Sequence, residues 1–400
     1  MSEMTQSLKT RFRSNTLTSQ ITFLTVILLV GGFVMVASAA APQYSAPGNS
    51  LLGFLLRDLA YSILGVLAFV VASGYNTKKI ARYCSLFLWV TLGFTILAGI
   101  PHIGSKVDGA RRWLRVGPIS IQPSEFFVVA VIIFVAVTVA VHERSETEWL
   151  SILYRMKRVA VGLLAIGFEQ KDLGTALVLF IVVLIMLLLA GMPSKYAGMA
   201  ILATALGTLV ASWFVSSFRY RLDRLTGFLH PSTDLQGNNY QINQSKIGLG
   251  AGGFKGLGYG NGREKWSFLP NPHTDFMFAT VGEELGIIGT LVLLGLVVWL
   301  ISVGMRVGQL SMDRTWKLLA TGLATWLAVQ AFMNIMSVVG MFPVTGVPLP
   351  FISYGGTSLI VNMAVVGLIH HAAREIKEAT LTKERDGARS SRGTSGRARR

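Results

Sequence analysis

The chain is poor in cysteine, in charge and in acid. Among its 400 residues there is one cysteine, 14% of residues are charged, and 20 Asp and Glu face 36 Lys and Arg. A single cysteine excludes an intrachain disulfide, and no metal-ligand cluster accompanies Cys84, which lies in an apolar run and reads as a packing residue. A soluble domain carries roughly 25% charged residues. The low charge, set beside 52% hydrophobic residues, implies a polytopic membrane protein. No signal-peptide pattern opens the chain. Residues 2–14 are polar and basic, and the first apolar run is long enough to remain as a span.

What the chain has in abundance is long apolar runs. Windows of about 20 residues predict spans at 21–41, 52–73, 83–100, 126–141, 159–168, 173–190, 196–215, 276–303, 318–341 and 352–373. The expected fold is therefore an all-α polytopic integral membrane protein of about ten transmembrane helices. Both ends then lie on one side. The expected organisation is a cytoplasmic tail at 1–18, a membrane domain at 19–377 and a disordered basic cytoplasmic tail at 378–400.

Charge orients the spans. With the N-terminus inside, the short internal loops hold Lys78, Lys79, Arg82, Arg144, Arg155, Lys157, Arg158, Lys195, Arg306, Arg314 and Lys317, as the positive-inside rule requires. Two external segments break that rule. Segment 105–122 carries Lys106, Arg111, Arg112 and Arg115. The long loop 216–274 carries Arg219, Arg221, Arg224, Lys246, Lys255, Arg263 and Lys265. Outer basic charge suits either anionic headgroups or an anionic phosphate or pyrophosphate substrate. The glycines of 256–262 superficially resemble a nucleotide loop, but no strand precedes them, so that reading fails.

Four blocks carry candidate chemistry. The first, at 269–286, reads LPNPHTDFMFATVGEELG and places His273, Asp275, Glu283 and Glu284 at the mouth of an apolar span. Charge there marks ion, proton or substrate handling, although helix-start acids also complement the helix dipole. Glu283 lies eight residues after Asp275, roughly 12 Å along a helix. A three-carboxylate metal site in one helix is thereby disfavoured, and Glu283 and Glu284 read as packing or interface residues. The second block, GARRWLRVGPISIQPSE at 109–125, offers Arg111 and Arg112 as phosphate grips and Trp113 as an interfacial ring. Its Pro123–Ser124–Glu125 reads as a helix start. In the third, EQKDLGT at 169–175, Asp172 is either a cavity residue or a helix N-cap. The fourth, PVTGVPLPFISYGGTS at 343–358, shapes a rigid turn whose hydroxyls, Ser353 among them, suit a ligand. Asn334 precedes it inside an apolar run and suits a bridge between helices.

Together, GARRWL, QPSE, the DLGTA block, GLGYGNGREKWSFLPNPHTDFMFA and PVTGVPLPFISYGG resemble the SEDS family, the shape, elongation, division and sporulation proteins. The GEELG and NGREKW stretches are closer to its division branch, the FtsW type. The resemblance implies a peptidoglycan glycosyltransferase that polymerises lipid II outside the cytoplasmic membrane and releases undecaprenyl pyrophosphate. It implies a class B penicillin-binding transpeptidase, other division membrane proteins and membrane lipids as partners, a location at the septum, and no nucleic acid. It places the family's essential aspartate on Asp275 and its cavity glutamate on Glu125.

Two positions depart from the family pattern. Val128 stands where lysine is usual one turn after the glutamate, and Lys171 where proline is usual before the DLGT aspartate. Lys171 is then a candidate to replace the missing cation. Glycosyl transfer needs a base for the acceptor hydroxyl and positive charge on the departing pyrophosphate. Asp275 serves as that base or as ligand to a divalent cation, Mg2+ or Mn2+. Arg111, Arg112, Trp113, Asp172, His273, Lys265 and Ser353 are the expected substrate-binding residues. The rival readings are a transporter of lipid-linked precursor, which discontinuous helices also suit, and a noncatalytic scaffold for the transpeptidase.

Overall fold

The computed structural model describes residues 16–45, 50–75, 79–106, 110–115, 117, 119–141, 149–207, 239–266 and 268–379 with their side chains. Both predicted tails lie largely outside these residues, as do Arg219, Arg221 and Arg224 of the long loop.

Among the described residues, seven helices are long and apolar enough to cross a membrane. In the numbering used below they are α1 (Thr16–Tyr44), α2 (Leu51–Ser73), α3 (Lys79–Gly99), α4 (Pro123–Val141), α10 (Met277–Leu310), α11 (Arg314–Val338) and α12 (Gly356–Ala379). Between them come α5 (Glu146–Arg155), α6 (Lys157–Leu164), the shorter apolar α7 (Leu173–Leu189), α8 (Ser194–Phe214) and α9 (Tyr240–Gly252). Seven of the ten predicted windows coincide with these long apolar helices, and the others fall on α6, α7 and α8. The 159–168 span is a composite, with α6 running into a π-helical turn, Ala165–Glu169.

Burial follows composition. α4 is apolar on every side, and Phe127, Val128, Ala130, Val131 and Ile132 are wholly buried, which makes it the central post. α2 buries only Phe54, Asp58, Tyr61, Ser62 and Gly65, a stripe that packs along α12. Its Leu52, Leu56, Leu59 and Ile63 face outward, as lipid contact requires. Small residues allow the close approach: a Cβ on Gly65 would sit 3.0 Å from Met363 Cγ.

Three features add detail to the expected helical fold. Beside the helices, 105–121 forms a small three-stranded antiparallel sheet in the order β1 (Ser105–Val107), β2 (Ala110–Val116), β3 (Ile119–Ile121). The described part of the long loop is structured, with α9 packed on α10. Finally, α10 is broken: Gly286 has φ 66 and ψ −168 in the middle of the predicted span. The hairpin, the turn before α7, the segment before α10 and the 339–355 connection all lie at one end of the bundle, the end from which α4, α7, α10 and α12 start.

Candidate active site

At that end lies a polar cavity of about 520 Å³. Each wall comes from one of the four sequence blocks. The hairpin gives Arg112 and Trp113, the start of α4 gives Gln122 and Glu125, and the start of α7 gives Asp172 and Thr175. Asn271, Thr274 and Asp275 come from the segment before α10. The connection before α12 gives Val344, Thr345, Gly346, Pro348, Tyr354 and Gly355, and Gln241 and Ser358 complete the lining. Asp275, Glu125, Asp172, Arg112 and Trp113 are thus brought together although they are up to 163 positions apart in number (275 − 112).

Asp275 stands just before α10, partly exposed to the cavity. Its main-chain carbonyl accepts a hydrogen bond from Asn334 Nδ2 at 2.8 Å, and the same amide donates to Val347 O at 2.8 Å. The sequence suggested a bridge between helices; Asn334 instead ties its own helix to the segment before α10 and to the 339–355 connection. Gly346, at φ 69, faces the carboxylate: a Cβ there would lie 3.4 Å from Asp275 Oδ2. Glycine both relieves the left-handed backbone and leaves room beside the acid.

Asp172 fills both roles foreseen for it. It caps α7 by accepting from Thr175 N at 3.1 Å, and it borders the cavity. Gln122 Nε2 donates to its Oδ2 at 3.3 Å, and Arg112 Nη1 lies 3.5 Å from that same oxygen. Arg112 also donates to Gln170 O at 3.2 Å and Lys171 O at 2.9 Å. Its guanidinium fork therefore clamps the hairpin to the turn before α7.

Glu125 is buried in the first turn of α4, where the helix dipole favours an acid. Among the described residues it forms no ion pair, and Val128 is wholly buried in apolar surroundings. Lys171 does not replace the absent cation. It is exposed, adopts φ 55 and does not border the cavity. Among the described residues, the cation that reaches this corner is Arg112, and it pairs with Asp172.

Four expected substrate-binding residues stand outside the cavity lining. Arg111 lies in the β1–β2 ladder opposite Lys106. Ser353 is buried, its Oγ accepting from Leu349 N at 2.9 Å, so it closes a turn while Ser358 faces the cavity. Lys265 is buried at 2.6 Å from Glu284. His273 is only 6% exposed and sits among Tyr44, Phe54 and Tyr354, with ring centroids 6.2, 5.8 and 5.8 Å away. Burial holds its imidazole down at a pKa of about 4, so it is neutral at physiological pH. Its carbonyl accepts from Tyr354 N at 2.8 Å, which joins the Asp275 segment to the 343–355 connection.

Sequence reading passed over Gln122, Gln241 and Tyr354. Gln122 stands inside the quoted QPSE block, and its backbone N donates to Thr357 Oγ1 at 3.1 Å, tying the start of α4 to that of α12. A glutamine three residues before a glutamate at a helix mouth was the available signal. Chemically, among the described residues the lining sets three carboxylates against one arginine. It suits a neutral, hydroxyl-rich acceptor and a base, with any large anion requiring further cations.

A sequence model of the cell cycle protein family of FtsW, RodA and SpoVE matches residues 19–378. A protein of Trichlorobacter lovleyi named probable peptidoglycan glycosyltransferase FtsW is 36% identical over 361 residues, covering 89% of this chain and 93% of that one. Stage V sporulation protein E of Bacillus subtilis is 34% identical over 356 residues, covering 88% and 95%. Among solved structures, one chain comes from work headed "Structural coordination of polymerization and crosslinking by a peptidoglycan synthase complex". It superposes with a TM-score of 0.73 at 25% identity, covering 89% of this chain and 97% of that one. The rod shape determining protein RodA of Thermus thermophilus shares the fold, with a TM-score of 0.64 at 23% identity over 89% and 96% of the two chains.

Proposed function

The chain belongs to the cell cycle protein family of FtsW, RodA and SpoVE, and from that premise we propose that it is a peptidoglycan glycosyltransferase of the division type. It polymerises lipid II into glycan strands at the outer face of the cytoplasmic membrane and releases undecaprenyl pyrophosphate. The observation that carries this reading is the single cavity in which Asp275, Glu125 and Asp172 meet at one end of a multi-pass helical bundle. The positive-inside charge pattern of the short loops supports reading that end as the outside and both termini as cytoplasmic.

In this reading Asp275 takes the proton of the acceptor hydroxyl. Arg112 and Asp172 keep the hairpin closed over the site, and Glu125 shapes its floor. The negative lining makes a divalent cation, Mg2+ or Mn2+, the natural companion of a pyrophosphate here. Among the described residues no three His, Cys, Asp or Glu form a ready-made metal cage. Asp275 fits an ion that keeps most of its waters and shares phosphate oxygens, as Mg2+ does. Such an ion would neutralise the leaving group. The partner proposed is a class B penicillin-binding transpeptidase, with further division proteins at the septum. Support for it comes from the solved relative, which belongs to a complex coordinating polymerization with crosslinking.

Incubating the purified chain with lipid II in detergent tests the proposal. Glycan strands as product support it. If there is no polymer, and proteoliposomes instead move labelled lipid II between leaflets, the chain is a transporter.

A further inference from the structure

The GEELG and GLGYGNGREKW motifs take no part in the cavity, yet they meet each other. The helix α10 breaks at Gly286, and the stretch 253–258 lies across the break. In an unbroken helix, Ile287 N and Ile288 N would donate to the carbonyls of Glu283 and Glu284. Instead those carbonyls accept from Leu257 N and Gly258 N, both at 3.0 Å, while Ile287 N and Ile288 N donate to Gly253 O at 2.9 Å and Phe254 O at 3.3 Å. The loop backbone thus replaces the missing helical bonds one for one. Nonhelical backbone beside a membrane span persists only when its polar groups are satisfied in this way.

The two acid side chains fasten the same loop. Glu283 Oε1 accepts from Arg263 N at 2.6 Å and Glu264 N at 3.2 Å. Glu284 accepts from Gly260 N at 3.1 Å and pairs with Lys265 Nζ at 2.6 Å, with side-chain exposures of 2% for the lysine and 0% for the glutamate. Lys265 Nζ also donates to Ser38 Oγ at 2.9 Å and Ser38 O at 3.2 Å on α1. An ammonium has three donors, and these three acceptors use all of them. Lys265 therefore has no proton to offer a substrate phosphate. From there the chain runs on through Leu269, whose N donates to Glu264 O at 2.7 Å, to Asp275 six residues later.

We propose that Lys265 and Glu284 are positioning residues for Asp275: their buried pair latches the 253–268 loop to α10 and α1 and so sets where the following segment places its carboxylate. A buried ion pair contributes little stability relative to a well-packed apolar pair of the same size, whereas its geometry is specific. The latch accordingly fixes position more than it strengthens the fold. This inference rests on the reading of Asp275 as the reacting carboxylate.

The test is the double variant K265M/E284M, which removes both charges together and avoids stranding one of them in a buried site. Two quantities are read in detergent: kcat and KM for glycan synthesis, and amide hydrogen exchange of peptides covering 253–268. The proposal expects faster exchange confined to that loop, with kcat down at least about tenfold and KM within about twofold. Normal kcat alongside faster exchange would make the latch purely structural and overturn the proposal. A raised KM with kcat intact would make Lys265 a substrate contact and overturn it equally, as would no change in either quantity. The D275N variant in the same assay separates the premises. If D275N still makes glycan, the reading of Asp275 fails whatever the loop does.

Discussion

Asn334→Ala removes one side chain that holds two walls of the cavity. Asn334 is 2% exposed, and its amide nitrogen spends both protons on main-chain carbonyls, Asp275 O and Val347 O, each at 2.8 Å. Truncation strands both acceptors. Leaving a buried polar group unsatisfied costs about 1–3 kcal/mol. Val347 O is enclosed and Asp275 O is only part-buried, so the expected sum is about 2–4 kcal/mol. At about 2 °C per kcal/mol for a large domain, the melting temperature of detergent-purified protein should fall by roughly 4–8 °C. Activity should fall as well, because the main chain at Asp275 loses its anchor. Asn334→Asp is the sharper variant. It preserves size, removes both donors and sets an acid against two carbonyls, so it should melt below Asn334→Ala. A melting temperature within about 1 °C of wild type for Asn334→Ala, or an Asn334→Asp protein more stable than the alanine variant, would refute the reasoning.

Three further outcomes are expected. The imidazole of His273 is held at about 4 by burial against an ordinary 6.5, so the unfolded chain binds the extra proton first. Stability is full above pH 6.5 and falls by up to about 3 kcal/mol as pH drops to 4. Melting curves of His273→Phe against pH should lack that slope, and an unchanged slope would show that another group causes it. Arg112→Lys keeps the charge but loses the fork that reaches Gln170, Lys171 and Asp172. Loss of one charge-assisted bond corresponds to a rate lower by roughly tenfold or more, readable as glycan made per minute. Gly256→Ala should destabilise by about 2 kcal/mol or more, since φ is 78 and a Cβ would strike the Glu284 carbonyl. Gly253→Ala, at φ 51 with open space around it, should show the smaller loss in the same melting assay.

The helices were legible because a run of about 20 apolar residues has few other fates. The cavity was legible in outline, since proline, glycine, acids and paired arginines at helix mouths each need a reason. What failed were assignments that depend on distant partners. Lys265 reads as one more outer cation until Glu284 and Ser38, 246 positions apart from each other, close around it. The break in α10 falls at Gly286, one of three nearby glycines with Gly282 and Gly289, and nothing local selects it, because the bonds that stabilise it come from 253–258. The sheet at 105–121 has strands of three, seven and three residues, too short for periodicity to register. Ser353 and Ser358 are equivalent in a string of hydroxyls, and only the turn at Leu349 directs one inward and leaves the other facing the cavity. Lys171 was a reasonable substitute cation by proximity in sequence, but its left-handed backbone carries the side chain to solvent.

Glycan synthesis from lipid II by the purified chain, measured beside its Asp275→Asn variant, tests the central claim most directly. The substitution keeps the side chain's shape and the main-chain bond from Asn334 while removing the base. Wild type should yield polymer and the variant less than about a hundredth of it, the range a single general base commands. Near-normal polymer from a folded Asp275→Asn protein would contradict the account.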